Sequence, residues 1–265
     1  MSKRIFQTPY GRLLAATLLL SAFNSLHAAE AVDSEALQAN ATLYVWLPSM
    51  GGDFKYNVGN GSATVSGSDI LNALNMAFMG ALEFRRGKWS LLTDVVYLDL
   101  GADRTSSVGL PGGGAINAGV DLDVSGWQLG VYGGYQLYAT DKATLDILGG
   151  VRYLTLDTDA SLSISGPLPP SLPTADLSAS TEVWDAVVGF RGKVELGSDW
   201  YMPYHADVGT GDSELTWQAM VGVGYRAGWG DLLLFYRHLA WDEGDDKLLQ
   251  GLEFTGPGMA VRFSF

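Results

Sequence analysis

The sequence closes with Met259-Ala260-Val261-Arg262-Phe263-Ser264-Phe265, and this stretch decides the fold. Apolar residues alternate with Ala, Arg and Ser, so an extended strand here has one apolar face and one polar or small face. An open sheet that exposes such a strand at its edge is prone to aggregation. A closed barrel has no edge, because its last strand pairs with its first. The stretch therefore predicts a transmembrane β-barrel whose final strand returns to the first one.

The composition agrees with a barrel and excludes several classes of function. The chain has 265 residues, 34 Gly, no Cys and a formal net charge of −13. Without Cys it forms no disulfide, no Cys-based metal site and no thiol nucleophile. The excess of acidic residues argues against nucleic acid as a partner and against direct attraction to anionic lipid. Only 17% of the residues are charged, which fits a protein with part of its surface in lipid.

The first 28 residues have the features of an export signal. Three basic residues precede the apolar run Leu13–Phe23, and Leu26-His27-Ala28 offers a cleavage site. The apolar run is about half of the roughly 20 residues that a spanning helix needs. We expect residues 1–28 to be removed and residues 29–265 to form one domain. No later run of 18 apolar residues exists, which excludes helical membrane spans.

Alternating segments recur along the rest of the chain, and they predict about ten strands, within a range of eight to twelve. A small hairpin is also expected within the Gly-rich stretch Ser49–Asn75, around Gly59-Asn60-Gly61. The predicted strands are Asn40–Leu47, which Pro48 ends, Met76–Phe84, Trp89–Leu100, Val120–Leu137, Ala143–Leu156, Thr181–Leu196, Trp200–Val208, Leu215–Ala227, Leu232–Ala240 and Met259–Phe265.

The connections between these strands alternate in length. The short ones lie at residues 85–88, 138–142, 197–199 and 228–231. Ala102–Ala118 and Ser161–Ser178 are expected to be long loops, because they are rich in Gly, Ser and Pro. Bacterial outer-membrane barrels show the same rhythm of short periplasmic turns and long external loops. An even number of strands also returns the end of the chain to the side on which it began.

Within single strands the apolar and polar faces separate, and we expect the apolar faces to meet lipid. Aromatic residues near the predicted membrane boundaries are expected to form interfacial girdles. They are Trp89, Tyr97, Trp127, Tyr135, Tyr153, Trp184, Trp200, Trp217 and Tyr225. One strand departs from the pattern, because Asp121 and Asp123 share a face with Trp127. We expect this part of the strand to stand above the membrane, in preference to a bulge at Gly126 that exchanges the faces.

The polar faces, turned inward, predict a network of nearly balanced charges in the lumen. Its members are Glu83, Arg85, Asp94, Asp146, Arg152, Asp185, Arg191, His205, Asp207, Arg226, Arg237 and Arg262. In a barrel of about ten strands such charges mostly pair with one another. We expect either a structural barrel held by a salt-bridged lumen or a narrow passive channel with weak selectivity. An unpaired ring of one sign would indicate the channel, and the sequence shows none.

Two further functions are alternatives. The first is a surface hydrolase of the omptin type, which uses Asp and His residues at the outer rim of a ten-stranded barrel. In this chain the candidates for such a site lie near the external ends of predicted strands and are Asp99, Asp103, His238 and Asp242. The pair His205 and Asp207 has the residue types of that site in the reverse order. An adhesin or ligand-binding barrel would act through its acidic external loops. We expect no enzymatic activity, no cofactor and no metal, since the acidic run Asp242–Asp246 lacks the spacing of a calcium loop.

Four stretches of the chain carry a resemblance to known proteins: Tyr204–Gln218, Val223-Gly224-Tyr225-Arg226, Trp46-Leu47-Pro48 and Phe263-Ser264-Phe265. Together they resemble a family of uncharacterised proteobacterial outer-membrane β-barrel proteins. The resemblance spans the mature chain and implies a barrel in the outer membrane of a Gram-negative bacterium, but it implies no substrate. Phe263 and Phe265 resemble the C-terminal signal that the barrel-assembly machinery reads. The implied partners are that machinery, outer-membrane lipid and lipopolysaccharide.

The export signal leads to a first prediction. Expressed with its native signal in a Gram-negative host, the protein should be cleaved after Ala28, so that the mature chain begins at Ala29. Intact-mass measurement of the purified protein tests this expectation. A product that keeps the full mass of 28.3 kDa would show that the segment is retained.

Overall fold

The computed structural model describes residues 36–56, 59–109, 115–165, 175–244 and 249–265. These residues are almost entirely strand, with one short helix, α1, at Gly67–Ala73. Among them, no helix is long and apolar enough to cross a membrane. The strands are β1 Gln38–Trp46, β2 Ser49–Tyr56, β3 Gly59–Val65, β4 Leu74–Arg86, β5 Trp89–Gly109, β6 Ala115–Ala139, β7 Ala143–Ser165, β8 Ala175–Gly197, β9 Trp200–Gly211, β10 Leu215–Ala227, β11 Gly230–Asp242 and β12 Leu249–Ser264.

Ten of these strands close an antiparallel barrel. Strands β4 to β12 pair in chain order, and β1 joins the two ends because it pairs with both β4 and β12. Asn40 lies opposite Ser264 in this closure, and the N–H of Phe265 donates to the carbonyl of Ala39 at 2.8 Å. The prediction of an all-β barrel of about ten strands, with the last strand paired to the first, is confirmed.

The first strand, β1, ends at Trp46, just before Pro48, as the sequence predicted. Beyond Pro48, β2 resumes opposite β12 in the same register, with Trp46 opposite Gly258 and Ser49 opposite Thr255. A proline removes one donor from the ladder, and the chain tolerates the gap where it bends. The hairpin with β3 exists, but its pairing places residues 59–61 within β3. Residues 57–58, between the two strands, lie outside the described residues.

Helix α1 lies within the Gly-rich stretch Ser49–Asn75, in which the sequence predicted a small hairpin but no helix. Its start is a capping box, in which the Ser66 hydroxyl accepts from the N–H of Asp69 and the Asp69 carboxylate accepts from the N–H of Ser66. Ile70 is the buried residue of the helix. Because seven residues make about two turns, the segment is too short to show a helical period.

Four strands are much longer than the sequence predicted, so the expected loops Ala102–Ala118 and Ser161–Ser178 are wrong. Strand β5 continues to Gly109, and β6 begins at Ala115. Likewise β7 runs to Ser165, and β8 begins at Ala175. Gly, Ser and Ala have low intrinsic preference for strands, and here pairing with the neighbouring strands overrides that preference.

The long strands run straight out of the membrane-facing part of the barrel. The register between β5 and β6 is uninterrupted from Trp89 opposite Tyr135 to Gly109 opposite Ala115. No bulge at Gly126 exchanges the faces, and Asp121 and Asp123 are exposed. The alternative of a bulge is therefore wrong, and the overhang above the membrane stays a prediction. We call the barrel end with the short turns and Phe265 the terminal end, and the opposite end the loop end.

The two faces of the sheet exchange character along the barrel axis. In the half nearer the terminal end, apolar side chains such as Val188, Leu234 and Met259 point outward and are exposed. In the half nearer the loop end, acidic residues such as Asp123 and Asp159 point outward, and apolar side chains point inward. The expectation that every apolar face points outward is therefore wrong for this half, because its apolar side chains pack against one another inside the barrel.

Close approach of an aromatic ring requires glycine at one inward position of β10. Gly224 lies opposite Tyr201 of β9, and a Cβ atom at Gly224 would lie 2.3 Å from Cζ of the Tyr201 ring. The ring lies flat over the glycine, and its hydroxyl donates to Asp231 at 2.7 Å. Such pairing of an aromatic side chain with a glycine covers exposed backbone and fixes the register.

We expect Gly224→Ala to destabilise the barrel by about 1–3 kcal/mol, because the added methyl group displaces the Tyr201 ring. The matched control is Gly149→Ala on β7, where a Cβ meets no atom within 4 Å. Urea unfolding of the two variants in lipid vesicles, followed by tryptophan fluorescence, measures the difference. Equal stability of the two variants would contradict this account of Gly224.

Candidate functional site

The candidate site is the barrel interior, which has three levels. At the terminal end lies an open cavity of about 600 Å³, which we call the vestibule. Above it a polar layer, centred on Arg152, Asp207, Arg237 and Asp94, crosses the barrel. Above that layer, toward the loop end, a cluster of apolar side chains fills the interior, and we call it the apolar core.

Arg152 of β7 is the most buried charge of the polar layer. Its side chain is 0% exposed and forms a 2.5 Å ion pair with Asp207 of β9. The same guanidinium donates to the hydroxyl of Thr216 at 2.8 Å and to that of Tyr132 at 3.4 Å. The second oxygen of Asp207 is 2.6 Å from Nε2 of His205. A buried charge persists only when its hydrogen bonds are made, and this arrangement makes most of them.

Arg237 of β11 organises the other side of the polar layer. It pairs with Asp94 of β5 at 2.7 Å, and the hydroxyl of Tyr44 donates to the same carboxylate at 2.6 Å. Gln218 accepts from two nitrogens of the guanidinium, at 2.6 and 3.0 Å. Around the ten-stranded ring, β5 is four strands from β11, and Gln128 of β6, which accepts from Arg237 at 3.3 Å, is five strands away, so these contacts tie the barrel across its lumen.

One wall of the vestibule carries a compact network of two acids and two bases. Arg191 of β8 reaches Glu83 of β4 at 2.5 Å, and Arg85 binds both Glu83 and Asp146 of β7. The intervening strands present small side chains inward, and Arg191 also donates to Ser90 at 3.3 Å. Small residues on β5 and β6 thus leave room for long side chains to meet across four strands.

The mouth of the vestibule carries a second set of charges. Arg226 forms two hydrogen bonds with Glu195, at 2.6 and 2.7 Å, and its guanidinium lies 4.8 Å above the Tyr201 ring. Lys193 lies 3.2 Å from the same carboxylate. Arg262 of β12 also faces the cavity and is half-buried. Within the described residues, no hydrogen bond or ion pair engages its guanidinium.

The apolar core closes the interior above the polar layer. It joins residues from both sides of the barrel, so a single contact cluster crosses the lumen. Two cation–π contacts connect it to the charges below, with Arg237 4.9 Å from the Trp46 ring and Arg152 5.9 Å from the Trp241 ring. The buried members are Trp46, Met79, Val96, Leu154, Val183, Leu239, Trp241, Leu252 and Phe254.

The structure places all the predicted lumen charges on inward faces but does not join them into one network. Asp185 lies apart, near the loop end, where it accepts from the N–H and hydroxyl of Ser213. Arg262 is near the other charges but unpaired. His238 and Asp99 are on the outer surface, where His238 stacks on Trp217 at 4.2 Å and Asp99 accepts from Asn75. Within the described residues, no three His, Asp or Glu side chains are grouped as a metal site requires.

Sequence analysis missed several uncharged residues of the site. The hydroxyls of Tyr44, Tyr132 and Thr216 complete the polar layer, as do the amides of Gln128 and Gln218. A usable signal was present for some of them, because Tyr44 shares strand parity with Asn40 and Thr42. The inward tryptophans gave no such signal. A period of two shows that a strand has an apolar face, but it does not show whether that face meets lipid or packs in a protein core.

Comparisons with known proteins return similar solved structures but no match to the sequence. No family model matches the sequence, and no curated protein matches it. The structure is similar to the translocator domain of the autotransporter NalP from Neisseria meningitidis, at 14% identity and a TM-score of 0.41 over 95% of each chain. It is also similar to the outer membrane protease OmpT from Escherichia coli, at 8% identity and a TM-score of 0.49 over 89% of this chain and 99% of OmpT.

A third similar structure is the toluene transporter TodX of P. putida, at 12% identity and a TM-score of 0.31 over 88% of this chain and 90% of that chain. These neighbours are outer-membrane barrels of proteobacteria, the kind of protein that the sequence resembles. No sequence family is found. At these identities and TM-scores, no activity or substrate transfers from them to this chain.

The burial of Arg152 leads to a prediction about stability. Replacing Asp207 with Asn keeps the size of the side chain but leaves the Arg152 charge without its carboxylate, which costs about 3–5 kcal/mol in a buried pair. The control is Asp141→Asn, at an exposed turn of the terminal end. Urea unfolding in lipid vesicles should show a lower free energy of unfolding for Asp207→Asn alone. If both variants unfold like the wild type, the pair does not support the barrel.

Proposed function

We propose that the chain is a non-enzymatic protein of the bacterial outer membrane, exported through a cleaved signal, whose lumen is closed to passage. In this function the barrel is a structural element of the cell envelope. It sits in lipid at the terminal-end half and extends β5 to β8 beyond the membrane surface. The short turns then face the periplasm, and the long strands face the exterior.

Two belts of aromatic side chains support a membrane location. One belt lies near the terminal end and contains the contacting pairs Trp89 with Tyr135 and Trp200 with Tyr225. The other lies toward the loop end and contains the pairs Tyr97 with Trp127, Tyr153 with Trp184, and Trp217 with His238. All the aromatic residues that the sequence predicted for the girdles lie in these two belts.

The spacing of the belts fits a bilayer. On β5, β6 and β10 an aromatic residue of one belt is eight positions from an aromatic residue of the other, as with Trp217 and Tyr225. Eight residues span about 26 Å along a strand, or about 20 Å of height at a tilt of about 40°. An outer-membrane barrel presents an apolar band of about 25 Å between its girdles. Exposed apolar side chains such as Val221 and Val223 fill the interval.

The apolar core is the observation that carries the closed lumen. A water-filled channel needs a continuous polar path, whereas here a cluster that includes Trp46, Trp241 and Phe254 spans the interior. Directly below it, Arg152 and Asp207 are 0% exposed. Ions would have to disrupt both the ion pair and the core in order to pass. This arrangement favours the structural barrel over the narrow passive channel.

The position of His205 supports a non-enzymatic function. His205 and Asp207 are deep in the barrel, below the apolar core, and Asp207 is also bound to Arg152. A surface hydrolase needs its acid and base at the outer rim, where substrate and water meet. The exposed phenyl rings of Phe263 and Phe265 at the final strand suit recognition by the barrel-assembly machinery. Outer-membrane lipid and lipopolysaccharide are the partners of the outward surface.

Planar-bilayer recording of the refolded protein tests the closed lumen. We expect no discrete conductance steps from the wild type. The variant Trp46→Ala with Trp241→Ala removes the largest side chains of the apolar core, and we expect it to produce brief openings. A conducting porin in the same bilayer is the positive control. Regular steps from the wild type that scale with salt concentration would show that the lumen conducts.

A further inference from the structure

The vestibule has an excess of positive charge although the protein as a whole is strongly acidic. Six Arg and Lys side chains line the cavity, against four carboxylates. Glu195, which binds Arg226, lies outside the lining and still leaves one positive charge in excess. The chain carries a formal net charge of −13, so the positive excess is a property of the cavity and not of the whole chain. A concave site with low-dielectric walls concentrates ions of the opposite sign.

Arg262 is the source of this excess. Its cross-strand neighbours are Asp231 on β11 and Thr42 on β1. Asp231 accepts a hydrogen bond from the hydroxyl of Tyr201. In the described part of the chain, neither carboxylate oxygen of Asp231 is within 4.0 Å of a basic side chain. Glu83, the other acid of this region, is bound to Arg85 and Arg191. The carboxylates near Arg262 thus have other hydrogen-bond or ion-pair partners. Arg262 lines the cavity, and no hydrogen bond or ion pair within the described residues engages its guanidinium.

The vestibule has room and surface for an organic molecule next to this cation. Its volume of about 600 Å³ is within the range of about 300–1,000 Å³ that small-molecule sites occupy. Apolar and aromatic side chains from β1, β5 and β11 line it beside the charges, among them Tyr44, Leu92, Leu233 and Phe235. Asn40 and Ser264 offer neutral hydrogen-bonding groups near the mouth. Such a lining suits a ligand with an apolar body and an acidic group.

We propose that the vestibule binds a small organic anion, a carboxylate with an aromatic or apolar body, and that Arg262 is the residue that holds its acidic group. Guanidinium binds carboxylate through two parallel hydrogen bonds, which explains why an unpaired Arg suits this ligand better than Lys would. The apolar core blocks the loop end, so the ligand enters from the terminal end. Binding of this kind does not require the barrel to conduct, and its test is independent of the bilayer recording.

The test uses 4-fluorobenzoate as the probe and the full mature barrel in non-ionic detergent. Broadening of the fluorine NMR signal measures binding, and 4-fluorobenzamide is the uncharged analogue of nearly equal shape. Loss of one charge-assisted contact weakens binding by about tenfold or more. We therefore expect Arg262→Gln to bind the probe at least about tenfold more weakly, whereas Arg262→Lys, which keeps the charge, should retain part of the affinity. Arg86→Gln removes the same charge from an exposed position near the same end and is the matched control.

The proposal predicts saturable binding of the carboxylate by the wild type and by Arg86→Gln, with much weaker binding of the amide. Equal binding of the amide and the carboxylate would overturn it, because the charge would then play no part. Unchanged affinity in Arg262→Gln, or no saturable binding by the wild type, would overturn it as well. Heat-modifiable migration on gels confirms that each variant is folded, and Arg262→Lys serves as the charged variant if Arg262→Gln does not fold.

Discussion

The rest of the structure depends on the pairing of β1 with β12. A bilayer offers no hydrogen-bonding partner for a free strand edge, and each unpaired backbone group there costs several kcal/mol. The contacts from Asn40 with Ser264 to Trp46 with Gly258 remove that edge. Closure also creates an interior, and the interior of ten strands is narrow enough that most inward polar side chains meet a partner. The lumen network and the apolar core are both consequences of this closure.

The proposed membrane location accounts for the exchange of faces along the axis. In that location hydrocarbon surrounds the half with apolar outward positions, and its inward positions are polar. Water surrounds the half with acidic outward positions, where apolar residues such as Leu154 and Val183 turn inward. One continuous strand therefore satisfies two environments without a bulge, since only the residue types change. The same sheet behaves as a membrane barrel below and as a water-soluble barrel above.

The interior charges belong to groups with different physical roles. Arg152 with Asp207 is a fully buried pair that joins β7 to β9, with one strand between them, whereas Arg237 with Asp94 joins β11 to β5 across the lumen. The network of Glu83 with Arg191 lines an open cavity, where water weakens each pair and makes its geometry easier to change. Arg262 is different again, because it faces the same cavity without a partner. The lumen thus contains ion pairs that stabilise the barrel and also a cation, Arg262, that remains available to bind a ligand.

The sequence by itself determined the class of fold, a barrel of about ten strands, and the set of aromatic residues expected at the membrane boundaries. These features depend on the alternation of neighbouring residues and on turn residues, which are local properties. Only the tertiary structure decided that Ala102–Ala118 is mostly strand, that Trp46 and Trp241 share an inner core, and that Arg262 lacks a carboxylate. Each of these depends on which strands meet across the lumen and on how high each residue stands relative to the membrane. Alternation along one strand carries no information about either, because the same pattern suits lipid outside or a core inside.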